Sequence, residues 1–463
     1  MNVPAFVILC MLFVGIVRPI SFLTYLVFIL PAFGSLALLP PTLVGGSSLT
    51  AGSFAAFFFV MKGLSSQNIL RRVLYSIFNF SQLGFLGLFL MVAVSGAFIL
   101  PRLFEGTIYT YSMRGARLTF VAPSVANYTQ SGYLILSTLT ATVMASLVRR
   151  PLFIDTLLKA ILVGAYIVIG TGLLDIAANA AGISEMLSYF RTANYKFLTD
   201  GYIEGDRRII GLMPEASAYG SLAASFCALL LFLRTTFPPS LLRRHVPIAA
   251  WGCGSMALIS TSSTAYVMMA VIMYLYIFYD RHRITSGGIL IKKTLVRKML
   301  VLIGAAIVLF SVVLLNSELT SHMVKLFDTL IVQKKNSSSY INRTSMTAAG
   351  FNAFFDSYGL GVGVGSVRTS NFFVNILAST GIVGGGLFGL FLWVIFTRRA
   401  PEAETRANAI IRAAKLVLIP LFVGAMLAST TPDFGIVEGI LFGVIAGLGQ
   451  PTKLNHFFLN ALI

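Results

Sequence analysis

Charge is scarce in this chain, and acid is scarcer still. Asp and Glu number 16 in 463 residues against 34 Lys and Arg, and all charged residues make up only 11%. Ordinary soluble domains carry about a quarter of their residues as charge, so this composition excludes them. Only three cysteines occur, Cys10, Cys227 and Cys253. All three fall inside apolar runs with no CxxC pair, which argues against a disulfide framework and a thiolate metal site. Histidine is limited to His245, His282, His322 and His456. With so few ligating groups there is no HExxH and no carboxylate-rich cluster, and P-loop lysine and GxSxG patterns are missing too. Metal hydrolysis, nucleotide hydrolysis and serine hydrolase chemistry lose their support, and no cofactor or metal is expected.

What is present is apolar. Hydrophobic residues reach 57%, and the mean hydropathy is +0.87. Runs long enough for a hydrocarbon core of about 30 Å recur throughout, with no polar block large enough for a separate domain. The expectation is one all-α polytopic membrane domain over 1–463. The opening MNVPAFVILCMLFVGIVRP lacks a basic n-region and a cleavage site, so it reads as a retained first helix. Spans are expected at 3–17, 20–40, 48–61, 75–100, 131–148, 152–174, 214–233, 247–260, 262–279, 300–315, 371–396, 411–429 and 434–449, within a range of about 12 to 14 helices. The run Ser260-Thr261-Ser262-Ser263-Thr264 supplies the turn between two of them.

Alternating the connections sorts the charge. Twenty-two of the 34 basic residues, from Arg18 to Lys453, fall on one face with only Asp155, Asp280, Glu402 and Glu404. The remaining 12 basic and 12 acidic residues cancel, so the net +18 belongs to that face. The positive-inside rule makes it cytoplasmic. The basic balance therefore reports insertion and contact with anionic lipid, and a nucleic-acid partner is not expected. Three long connections, 101–130, 175–213 and 316–370, then lie outside, where function is sought. The last includes an amphipathic pattern at 322–331.

Arg207 and Arg208 fall on this outer side, just before the span that starts near Pro214. Pro214 at a first helical position followed by Glu215 suits a helix start, because proline lacks an N–H and the carboxylate complements the dipole. One reading is a capped helix with snorkelling arginines. The other is an anion site, where planar guanidinium groups grip phosphate. Beyond it, Ala216, Gly220, Ala224 and Ala228 form a small-residue stripe suited to close helix packing. A second stretch, 341–386, alternates glycine at Gly359, Gly361, Gly363 and Gly365, so that an extended chain there could lie against a backbone or a ligand. Arg343 and Arg368 flank it, and Asn371 precedes the next span. Four arginines in two loops thus border one membrane face. Asp155, Lys159 and Asp175 near span ends are too few for an ion pathway, which leaves a transporter weakly supported.

Together these features resemble the Wzy-type O-antigen and exopolysaccharide polymerases, which share a fold with the O-antigen ligases. The matching residues are Arg208, Gly211, Glu215 and Ser217, then the glycine run GLGVGVGS and the helix opening NFFVNILASTGIVGG, with order and spacing matching over 200–395. Proline commonly follows the family's glutamate and here precedes it. Ligases place a histidine where this chain has Ser370, which favours polymerase over ligase. The resemblance implies a GT-C-like, metal-independent glycosyltransferase in the bacterial inner membrane, with its site facing the periplasm or cell exterior. Donor and acceptor would be undecaprenyl-diphosphate-linked glycans, and a chain-length regulator is an implied partner. Arg208 and Arg343 would hold the diphosphate, Arg207 and Arg368 would steer or clamp, and Glu215 would orient an arginine or act as base. Gly361, Gly363 and Asn371 are expected to line the substrate site. A ligase and a lipid-linked sugar flippase are the alternatives.

Overall fold

The computed structural model describes residues 2–40, 48–113, 117–194, 202–203, 206–239, 241–279, 337–401 and 404–450. Within them the chain is mostly helical. Helices α1 (Val3–Val17), α2 (Ile20–Ile29), α3 (Ala51–Leu64), α4 (Gln67–Phe78), α5 (Gly84–Leu103), α6 (Val125–Leu147) and α7 (Pro151–Ala180) come first. They are followed by α8 (Ala216–Leu233), α9 (Leu241–Ile259), α10 (Ser263–Tyr279), α11 (Ser338–Asp356), α12 (Phe372–Thr397), α13 (Thr405–Ala428) and α14 (Ile436–Leu448). Five of these, built on α5, α7, α8, α12 and α13, are long and apolar enough to cross a membrane, and several others are apolar but shorter. Many of their outward side chains are large and apolar, including Phe6, Phe13, Leu152, Ile248 and Ile382. Water would penalise that surface and lipid would not.

Three details differ from the sequence expectation. The 20–40 span stops at Ile29 and continues as a single 3₁₀ turn, Leu30–Phe33, because Pro31 interrupts the amide ladder. The 75–100 span begins only at Gly84, and before it lies the separate amphipathic helix α4, with Arg71 and Arg72 exposed and Ile69 and Val73 buried. Helix α8 starts at Ala216, so Glu215 is its N-cap residue and Pro214 lies outside the helix. The expected span 300–315 and the amphipathic 322–331 pattern fall outside the described residues.

The long connections carry structure of their own. Strands β1 (Tyr109–Tyr111) and β2 (Leu118–Phe120) form an antiparallel hairpin after α5, and β3 (Tyr202–Ile203) pairs with β4 (Asp206–Arg207) before α8. Helix α11 lies wholly inside the expected 316–370 connection.

Close helix approach rests on missing side chains. Gly439 on α14 faces the α6 backbone so tightly that a Cβ would sit 2.6 Å from the Ser137 carbonyl oxygen, and Gly443 and Gly447 repeat this against Ala141 and Ala145. The stripe on α8 works similarly: a Cβ on Gly220 would lie 2.8 Å from the Ala265 side chain of α10.

Helix α12 is broken at Gly381, where φ is 66° and ψ is −168°. The alternating glycines repair the break. Val362 N donates to Ala378 O at 2.8 Å, Gly363 N to Ser379 O at 3.0 Å, and Ile382 N to Gly359 O at 2.8 Å. Gly359, Gly361, Gly363 and Gly365 all have positive φ, so the run is a ribbon of left-handed turns and not the extended chain expected from its alternation. Asn127 at the start of α6 clasps the ribbon, donating to Val364 O at 2.7 Å and Ser366 Oγ at 2.8 Å.

Gly361→Ala is expected to cost about 1–2 kcal/mol from its left-handed backbone alone. A further cost arises because the new Cβ would lie 2.7 Å from Gly381 N. Thermal unfolding of the purified protein checks this against Gly386→Ala, where a Cβ meets nothing within 4 Å and no loss is expected.

Candidate functional site

Asp175, buried near the end of α7, organises the first arginine stretch. Its Oδ2 accepts from Ile210 N at 2.9 Å and Gly211 N at 3.1 Å. Its Oδ1 lies 3.6 Å from Arg207 Nη2 and 3.8 Å from Arg191 Nη2. Gly211 turns the chain with φ 55°, and a Cβ there would sit 2.8 Å from the Tyr219 ring. Tyr219 is itself fixed by donating its hydroxyl to Val168 O at 2.9 Å.

Arg207 and Arg208 therefore part company. Arg207 pairs with Asp175, whereas Arg208 turns to the α9–α10 connection. Its Nε donates to Thr261 Oγ1 at 3.2 Å, and Nη2 donates to Thr261 O at 3.0 Å. Thr261 has φ 49°, a conformation that a β-branched residue rarely adopts, and it presents both acceptors to one guanidinium. Five N–H donors belong to each arginine, so Arg208 keeps donors to spare.

The second stretch converges on the same end of the bundle. Arg368 is anchored through its backbone N–H to Tyr111 O of β1 at 2.9 Å, while its side-chain Nε is buried without a hydrogen-bond partner. Arg343, on α11, donates from Nη1 to Leu427 O near the end of α13 at 2.7 Å. Asn371 caps α12, its Oδ1 accepting from Val374 N at 3.1 Å. Gly361 and Gly363 are buried against Ser379, Gly381 and Pro101. Asn371 and the two glycines thus shape the backbone that presents Arg368, rather than facing outward themselves. Ser370 is buried and donates its hydroxyl toward Met346 Sδ of α11 at 3.8 Å.

Glu215 is the hinge of the electrostatics. Its backbone is extended, and its carboxylate caps no helix amide but accepts from the Ser217 hydroxyl. Burial lowers the Arg208 pKa, the Glu215 and Tyr266 side chains oppose that shift, and the Arg343 charge adds to it. Burial also lowers Arg368, again opposed by Glu215. One carboxylate thus acts on guanidinium groups from two distant stretches, and a third guanidinium is felt at the first. Yet among the described residues no ion pair within 4 Å joins Glu215 to any of them. Such a cluster carries net positive charge and unspent donors, which suits an anion of several oxygens.

No family model and no curated protein matches this chain.

The sequence singles out Arg208, Arg343, Arg368 and Glu215 as candidates but not what holds them. Asp175 was legible as a lone acid beside an apolar run, a position that demands partners. Thr261 and Tyr266 had no such signal, since hydroxyl residues in turns and helices are common. Asp433 was also missed. It lies between α13 and α14, its carboxyl accepts from Gly435 N at 3.2 Å, and burial raises its pKa. Among the described residues, no three His, Cys, Asp or Glu side chains gather into a group that could hold a metal ion.

Asp175→Ala removes the acceptor of two buried amides and the counter-charge of Arg207. The expected loss is about 3–5 kcal/mol of stability, with Asp175→Asn losing less because one oxygen can still accept from the amides. Denaturant or thermal unfolding of both variants measures the difference.

Proposed function

We propose that this chain is a membrane glycosyltransferase that lengthens a glycan carried on a polyprenyl diphosphate, joining lipid-linked repeat units on the outer face of the bacterial inner membrane. One observation carries the reading: Arg208 and Arg368, from two separate stretches, both feel the Glu215 carboxylate, and Arg208 also feels Arg343, with donors unspent. A diphosphate is the anion whose geometry and charge fit three guanidinium groups at a membrane surface. The resemblance in sequence over 200–395 supplies the reaction class, and Ser370 in place of the ligase histidine favours polymerisation.

In this reading the acceptor hydroxyl oxygen attacks the anomeric carbon of the donor glycan. The bond from that carbon to the diphosphate oxygen breaks, and the diphosphate leaves with the electron pair. Arg208 and Arg343 stabilise the charge that develops on it. Arg368 clamps the same group from the ribbon side. Glu215 takes the proton of the acceptor hydroxyl, with the Ser217 hydroxyl holding its carboxylate in place. Arg207 has a different role from the one its sequence position suggested: paired to Asp175, it fixes the loop that aims Arg208.

Purified protein supplied with a lipid-linked repeat unit is expected to build a ladder of lengthening glycans. Transfer to a different acceptor would instead identify a ligase, and transbilayer movement without covalent change would identify a flippase. Arg208→Ala and Arg343→Ala should each cut the rate of lengthening by about a hundredfold or more. Arg207→Ala should chiefly lower thermal stability, with the rate per folded molecule much less affected. If both Arg208→Ala and Arg343→Ala left chain length and yield unchanged, the site assignment would fail.

A further inference from the structure

The opposite, arginine-rich end of the bundle holds a feature that the proposed chemistry does not use. Arg398, the residue that ends α12, is only 1% exposed, one of the largest fully buried side chains among the described residues. Both its Nε and Nη1 are buried without a hydrogen-bond partner. An unpaired buried guanidinium is costly, and chains do not keep one for packing alone.

The carbonyls at the end of α12 serve another cation. The terminal carbonyls of α12 are taken by Lys415 of α13, whose Nζ donates to Phe396 O at 2.7 Å and Arg398 O at 2.5 Å. Asp155 is taken by Arg406, which also donates to Thr236 O at 3.1 Å. Glu404, the other carboxylate described at this end, makes no ion pair within 4 Å. What does face Arg398 is more positive charge. Arg149, exposed on the α6–α7 turn, pushes the pKa of Arg398 further down after burial has lowered it, to about 10 in all. Arg399, exposed, stands next in sequence, and its backbone pairs with Gln450 beyond α14. Gly449 makes room for the stem: a Cβ there would lie 3.0 Å from Arg398 Cβ and 3.4 Å from its Nε.

Among the described residues, a buried guanidinium with two unpartnered donors thus stands beside Lys415 and two exposed arginines, with no carboxylate at ion-pair distance. We propose that Arg398, Arg149, Arg399 and Lys415 form a phosphate-binding site at the arginine-rich end of the bundle, separate from the Arg208 site and independent of the function proposed for it. The bound group is a phosphate, carried either by an anionic lipid headgroup or by a soluble phosphate, and it would supply the acceptor oxygens that Arg398 lacks.

Full-length protein in neutral detergent or in phosphatidylcholine nanodiscs provides the test. One arm adds phosphatidylglycerol and counts retained lipid by native mass spectrometry. The other titrates inorganic phosphate against chloride at equal ionic strength and reads thermal unfolding. The expected result is one tightly held phosphatidylglycerol, or a saturable rise in unfolding temperature with phosphate, and the responding arm names the source. Arg398→Gln should weaken that binding about tenfold or more. Should Arg398→Gln fail to fold, the exposed Arg149→Gln and Arg399→Gln variants decide, since each is expected to weaken binding without disturbing the core. Equal retention and equal thermal shift in wild type and in all folded variants would overturn the proposal. So would phosphate and phosphatidylglycerol behaving no differently from chloride and phosphatidylcholine.

Discussion

Where water is excluded, every backbone amide and carbonyl must find its partner inside the protein, and much of this architecture follows from that demand. Helix α12 breaks at Gly381, freeing carbonyls at Ala378 and Ser379 and an amide at Ile382. Only a strand of chain that can press its own backbone directly against the break can satisfy them. The glycine ribbon does so because it has no Cβ at Gly361, Gly363 and Gly365, the positions that touch other backbone or proline. Asp175 solves the same problem with a side chain, accepting two amides of the turn at Ile210 and Gly211. Each repair leaves an arginine fixed beside it: Arg368 follows the ribbon, and Arg208 precedes the turn.

Charge follows a second logic that depends on the first. A guanidinium in a half-buried setting is destabilised unless an opposite charge or an anionic ligand compensates it. At Arg207 the counter-charge lies within ion-pair distance, on an Asp175 carboxylate shared with Arg191. At Arg208 and Arg368 it is partial, with a single carboxylate serving both from a distance. At Arg398 no counter-charge lies within ion-pair distance among the described residues. The buried arginines are thus graded by how much counter-charge stands near them, and the two clusters with least of it occupy opposite ends of the bundle.

Legibility from sequence followed the length scale of each signal. Apolar runs such as 152–174 and 371–396 announce helices because burial or lipid contact must extend over many residues. The residues that carry candidate chemistry also stood out, because Arg207 and Arg208 break the charge bias and Arg343 and Arg368 flank a glycine run. What could not be read was the third dimension of each. Pro31 gave no warning that its span would end so early, since prolines also occur within membrane helices. The alternation from Gly359 to Gly365 suggested an extended chain, and only the positive φ values identify a ribbon wound around a broken helix. Thr261 became an arginine ligand through a turn whose existence was legible but whose handedness was not. Arg398 looked like one more basic residue on a basic face until its burial separated it from the rest.

The adjacent pair Arg207 and Arg208 shows how a local rule could have carried the reading further. The backbone at Arg207 closes a short strand, and in extended chain successive side chains point to opposite sides. The two neighbouring arginines do face different partners, Asp175 for Arg207 and Thr261 for Arg208. The turn at Gly211 then decides which is which, because it returns the chain across Tyr219 and sets Glu215 where its charge reaches Arg208. Division of labour between the two arginines therefore follows from one buried acid on one side and the α9–α10 connection on the other.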